Sequence, residues 1–138
     1  MTFQNPSSEQ IKDLLLRVKT MAVVGLSPKP NRPSYRVAQA MQGFGYRIIP
    51  VRPLLKEVLG EPAYASLAEV PEAIDLVDAF RAAEYIDALV DECIRLKLPA
   101  LWIQEGIVNE PAAERARAAG ILVVMDRCVY KDYVALIR

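Results

Sequence analysis

The chain contains no histidine. That absence excludes a Ser-His-Asp triad, a Cys-His pair, histidine-ligated zinc and phosphohistidine transfer within this chain. Cysteine is scarce too. Cys93 and Cys128 are the only two, too few for a disulfide framework and without metal-ligand spacing. No metal is therefore expected, and a reducing cytoplasm is the default compartment. No apolar run approaches the roughly 18 residues of a membrane span. The stretch Met1-Thr2-Phe3-Gln4-Asn5-Pro6 lacks the basic start and apolar core of a secretion signal. Neither sign of charge is in excess: 17 Lys+Arg balance 17 Asp+Glu. No global field draws the chain to nucleic acid or to an anionic membrane, so any basic character must be local. Glycine-rich phosphate motifs are also missing. The first loop has only Gly25 where G-x-G-x-x-G needs three glycines, and no G-x-x-x-x-G-K-[ST] loop occurs.

What is present reads as alternating strands and helices. With 138 residues, 53% of them hydrophobic, the chain can bury a sizeable core as one domain over residues 1–138. Ser7 or Ser8 caps a first helix carrying Ile11, Leu14, Leu15 and Val18 at helical spacing. Strands are predicted at Thr20–Leu26, Tyr46–Val51, Asp75–Phe80, Ala100–Gln104 and Ile121–Met125. The third is the least regular because it carries Asp75 and Asp78. Helices are predicted from Ser34 to near Gly43, over Ala83–Leu96, from Asn109 to Gly120 and over Cys128–Ile137, with a helical turn at Leu67–Val70. The connections are too long for hairpins. The expected fold is α/β, a Rossmann-like three-layer αβα arrangement around a five-stranded parallel sheet of order 3-2-1-4-5.

In such folds ligands bind beyond the carboxyl ends of the strands. The residues there are Gly25, Leu26, Ser27, Lys29 and Arg32 after the first strand, with Ser34 opening the next helix, and Val51, Arg52, Pro53 and Lys56 after the second. Phe80 and Arg81 follow the third, Gln104, Glu105, Gly106 and Ile107 the fourth, and Asp126, Arg127 and Cys128 the fifth. A cation recurs after four of the five strands of a neutral chain, the pattern of a site for a polyanion. Unpaired N–H groups at a helix start favour phosphate, and Lys29 and Arg32 add full charges there. Arg52 stands where NAD-binding chains place an acid. It suits a ribose phosphate, either the 2′-phosphate of NADP or the 3′-phosphate of coenzyme A. Cys128 stands beside Arg127, which would lower the pKa of an exposed thiol.

Together the segments Val24–Ser34, Gly45–Pro53, Val77–Arg81, Trp102–Glu110 and Val123–Cys128 resemble the small stand-alone CoA-binding proteins, whose domain is similar to the N-terminal domain of the succinyl-CoA synthetase α subunit. The resemblance implies CoA or an acyl-CoA as ligand. Gly25, Ser27, Lys29 and Arg32 would face its phosphates; Val51, Arg52 and Pro53 would flank the adenosine. Phe80 and Arg81 would border the ligand, and Gln104, Gly106 and Ile107 would lie near the pantetheine arm. Arg52 stands where the family often has asparagine. The synthetase's phosphate-carrying histidine lies outside this domain, so the resemblance implies binding without ligase activity. The alternatives are an NADP-linked oxidoreductase, or a CoA-responsive interaction module that engages a protein partner or a second copy of itself.

Overall fold

The computed structural model describes residues 3–138; Met1 and Thr2, assigned to the same domain by the sequence reading, lie outside the described residues. Helix α1 (Ser8–Arg17) opens on a capping box, in which Ser7 Oγ accepts from the Gln10 N–H and Gln10 Oε1 accepts from the Ser7 N–H. Its Ile11, Leu14 and Leu15 are buried. The remaining helices are α2 (Pro33–Gly43), α3 (Ile86–Arg95), α4 (Glu110–Ala118) and α5 (Val129–Leu136). Asn109 caps α4 by accepting from the Ala112 N–H, as its position before Glu110-Pro111 predicts. The stretch predicted as one helix from Ala83 begins instead as a single 3-10 turn, Ala83–Tyr85, before α3.

The main sheet contains β1 (Thr20–Val24), β2 (Arg47–Val51), β3 (Leu76–Ala79), β4 (Ala100–Ile103) and β5 (Leu122–Met125), all parallel. Its order is β2-β1-β3-β4-β5. The α/β fold class therefore holds, and the expected order 3-2-1-4-5 is corrected. The third strand joins the far side of β1 rather than the outside of β2. Pro50 supplies a physical reason. It lies within β2 and has no N–H for a second ladder, so β2 belongs at an edge. That edge is partly covered by the chain around Tyr64, whose N–H donates to Pro50 O while Arg52 N–H donates to Tyr64 O. A short antiparallel hairpin, Glu57–Val58 with Glu61–Pro62, follows β2; Leu59 and Gly60 at its tip both have positive φ.

Apolar residues fill both faces of the sheet, as unbroken runs such as Met21-Ala22-Val23 require. One face packs against α3 and α4 through residues including Ile86, Val90, Cys93 and Ala113. The other packs against α1, α2 and α5 through Leu14, Met41, Val129 and the fully buried Trp102. The chain passes from β1 to β2 on one side, then crosses back over β1 to reach β3 on the other. The topological switch point thus lies between β1 and β3, and their carboxyl ends are where a ligand crevice opens in this architecture.

Candidate functional site

Gly25 ends β1 with φ +86°, and its N–H donates to Val51 O of β2 at 2.9 Å. On the other side, the Phe80 N–H donates to Val24 O at 2.9 Å. A Cβ at Gly25 would stand 2.4 Å from Phe80 O, so only glycine lets the ends of β1 and β3 meet this closely. The chain then folds back on the start of α2. The Ser27 N–H donates to Ser34 Oγ (2.9 Å), the Lys29 N–H to Ser27 Oγ (3.1 Å) and the Arg32 N–H to Lys29 O (3.0 Å). Pro33 takes the first helical position, one residue before the predicted start, and no side chain caps α2. The backbone donors of its first turn therefore point past the loop without a capping acceptor.

A cleft of about 610 Å³ opens over this junction. Ten of the fourteen expected site residues line it: Gly25, Ser27, Lys29, Arg32, Ser34, Arg52, Phe80, Arg81, Gln104 and Ile107. The other four do not. Leu26 is fully buried, and its carbonyl faces Arg52 Nη1 at 3.4 Å. Val51 lies within the sheet, its carbonyl spent on Gly25. Pro53 is exposed outside the cleft. Gly106 has φ +88° and gives its N–H to Asp126 Oδ1 (2.8 Å), so it shapes the β4 loop rather than the cleft wall. Lys56 is also outside.

The charges are distributed unevenly. Lys29, Arg32, Arg52 and Arg81 line the cleft, and among the described residues none has a carboxylate within ion-pair distance. Arg81 lies over the Tyr85 ring at 4.4 Å from its centroid. The cleft's carboxylate, Glu105, is held by Lys131 at 2.9 Å. Several arginines elsewhere are paired, Arg47 with Glu61 and Glu72, Arg115 with Asp87 and Asp91, and Arg127 with Asp132, whereas Arg36 and Arg138 form no ion pair among the described residues. Arg127, the cation beside Cys128 in sequence, is thus committed to α5. Cys128 lines the cleft at the start of that helix.

Sequence reasoning missed several groups. Val37 reaches the cleft because it lies three residues after Ser34, on the same helix face. Ala82 and Pro33 also line the cleft. Asp78 matters most. Read as a blemish in the third strand, it is fully buried in β3, where Oδ1 accepts from Gln104 Nε2 at 2.5 Å and Oδ2 has no partner among the described residues. Burial pushes its carboxyl up to about 7, against the pull of the Gln104 hydrogen bond. An acid inside an apolar run was the available signal, since such groups are seldom buried without a purpose.

Comparison with known proteins places this architecture. The chain is 44% identical over 126 residues to the uncharacterized protein YneT of Bacillus subtilis (strain 168), spanning 91% of this chain and 93% of that one. Its fold superimposes on a hypothetical protein from Pyrococcus horikoshii OT3 with a TM-score of 0.92 and 32% identity, covering 100% of both chains. It is also 28% identical over 105 residues to acetate–CoA ligase [ADP-forming] I of Archaeoglobus fulgidus, a match that spans 76% of this chain and 15% of the ligase. No helix among the described residues is long and apolar enough to cross a membrane. A family model described as CoA binding domain matches residues 19–133, which takes in the strand-end loops and every residue that lines the cleft, and the chain accordingly belongs to the CoA binding domain family.

Proposed function

We propose that this protein binds coenzyme A or an acyl-CoA in the cleft and holds it without catalysing a reaction on it. The observation that carries the proposal is the set of unpaired cations, Lys29, Arg32, Arg52 and Arg81, around one crevice of an otherwise charge-balanced chain. A cation without a carboxylate partner at a strand end awaits an anion from outside. The diphosphate would rest on the Gly25–Ser34 loop and the uncapped start of α2, where backbone donors and the helix dipole add to Lys29 and Arg32. Arg52, at the end of the edge strand β2, would meet the ribose phosphate. Neighbouring strands lie roughly 4.8 Å apart, so an extended ligand crossing from β2 to β4 spans about 14 Å. That leads its arm past Phe80 towards Gln104 and Ile107. A holding role draws support from the side chains themselves: the cleft's carboxylate is ion-paired and its floor carboxyl is sealed below the surface. Arg52 would serve the 2′-phosphate of NADP equally well, but the single-glycine loop favours CoA.

Arg32→Ala tests the phosphate assignment. Loss of a charge-assisted hydrogen bond costs about 1.5–3 kcal/mol, so calorimetric titration of the variant with CoA should show affinity lowered roughly 10- to 150-fold. An unchanged affinity moves the phosphates away from α2.

A further inference from the structure

The CoA-binding reading leaves one group under the cleft unused, the carboxyl of Asp78. In register it lies between Val23 of β1 and Trp102 of β4. It is fully buried, and among the described residues no cation approaches it within ion-pair distance. Keeping a carboxyl there is costly compared with an apolar residue of the same volume. Its hydrogen-bond partner is Gln104, the residue through which the end of β4 meets the cleft. A primary amide has one donor end and one acceptor end, and Asp78 Oδ1 accepts from the donor end whether or not Oδ2 carries a proton. Asp78 therefore captures the NH₂ end of Gln104 and leaves Oε1 as the other. That oxygen has no protein partner among the described residues, yet it is not among the sealed, unpartnered atoms. It is open to the cleft. The backbone beneath it is fixed as well, because the Gln104 N–H donates to Ala79 O at 3.2 Å.

We propose that Asp78 is a positioning residue that holds Gln104 with its carbonyl oxygen towards the cleft, so that the β4 end of the site accepts a hydrogen bond from an N–H on the ligand's arm. The inference rests on the CoA reading and sharpens it. The anionic head of CoA is bound by cations and backbone donors, none of which reads the arm. Gln104 does so, because the pantetheine chain carries amide N–H groups. A buried acceptor left without its donor is penalised more than a missing apolar contact. The pair thereby selects amide-bearing arms over head groups alone and over arms that offer only acceptors there.

The test is calorimetric titration of the full chain with CoA and with adenosine 3′,5′-bisphosphate, which has anionic groups and no arm. Gln104→Leu and Asp78→Val should each weaken CoA binding about tenfold while leaving the bisphosphate affinity unchanged. Asp78→Asn, which keeps an acceptor for the Gln104 NH₂, should stay within about twofold of the wild type. The double variant Asp78→Val/Gln104→Leu should lose no more than Gln104→Leu alone, since both remove one device. Asp78→Ala replaces Asp78→Val if the latter does not fold. Additive losses overturn the proposal, as do equal losses for both ligands or wild-type CoA affinity in Asp78→Val. A wild-type chain that binds neither probe overturns the binding reading itself, a result distinct from all of these.

Discussion

Replacing Gly25 with alanine should lower stability by about 3 kcal/mol and distort the cleft at the same time. A left-handed backbone costs a non-glycine residue roughly 1–2 kcal/mol, and forcing a methyl group into a packed site adds about 1–3 kcal/mol. Both penalties apply here, because φ is +86° and the new Cβ would stand 2.4 Å from Phe80 O and 3.2 Å from Arg81 Cδ. The obstacle is backbone and cannot rotate away. β1 is also held on its other side by the Gly25–Val51 hydrogen bond, so relief must come from moving β3 outward, carrying Phe80 and Arg81 with it. Chemical denaturation should show the lower midpoint, and CoA affinity should fall in the remaining folded protein. Wild-type stability would mean that the two strand ends are not in contact.

The second large effect concerns pH. Burial lifts the Asp78 carboxyl from an ordinary 3.8 to about 7 in the folded chain. Between those values the folded protein holds a proton that the unfolded chain has released, so stability falls as pH rises through that window. The span corresponds to about 4 kcal/mol at full effect. Asp78→Asn cannot ionise and removes this dependence. It should change stability little near pH 4, where the wild-type carboxyl is already protonated. At pH 8 it should stabilise the protein by up to about 4 kcal/mol, because the amide escapes the penalty that ionisation imposes on the buried carboxyl. Urea denaturation across this range should therefore give a falling profile for the wild type and a flatter one for the variant. Parallel profiles would show that Asp78 does not titrate in the window.

Much of this architecture was legible in the residues. Runs such as Met21-Ala22-Val23-Val24 mark strands covered on both faces, and Gly25 marks where the first one turns. Asn109-Glu110-Pro111 and Ser7 announce their helices through capping chemistry. Strand order was less accessible, because either neighbour of β1 leaves the same apolar pattern; only the proline within β2 pointed to an edge position. The strand ends named most of the cleft, since in a parallel α/β sheet they all open on one side. Which cations stay free was not legible. Arg127 and Arg52 look alike in sequence, yet Arg127 meets Asp132 one helical turn on, whereas Arg52 meets the Leu26 carbonyl and no carboxylate among the described residues. Asp78 was visible and undervalued, because its partner Gln104 is 26 residues away and pairing at that range depends on strand register.

The central claim is that four unpaired cations and an uncapped helix form a seat for CoA. Titration calorimetry of the wild-type chain with CoA, run beside NADPH, tests it most directly. Saturable heat is expected with CoA and markedly weaker binding of NADPH, whose phosphates share the cradle but whose nicotinamide offers no pantetheine arm to Gln104. Absence of heat at millimolar CoA, or tighter binding of NADPH than of CoA, would contradict it.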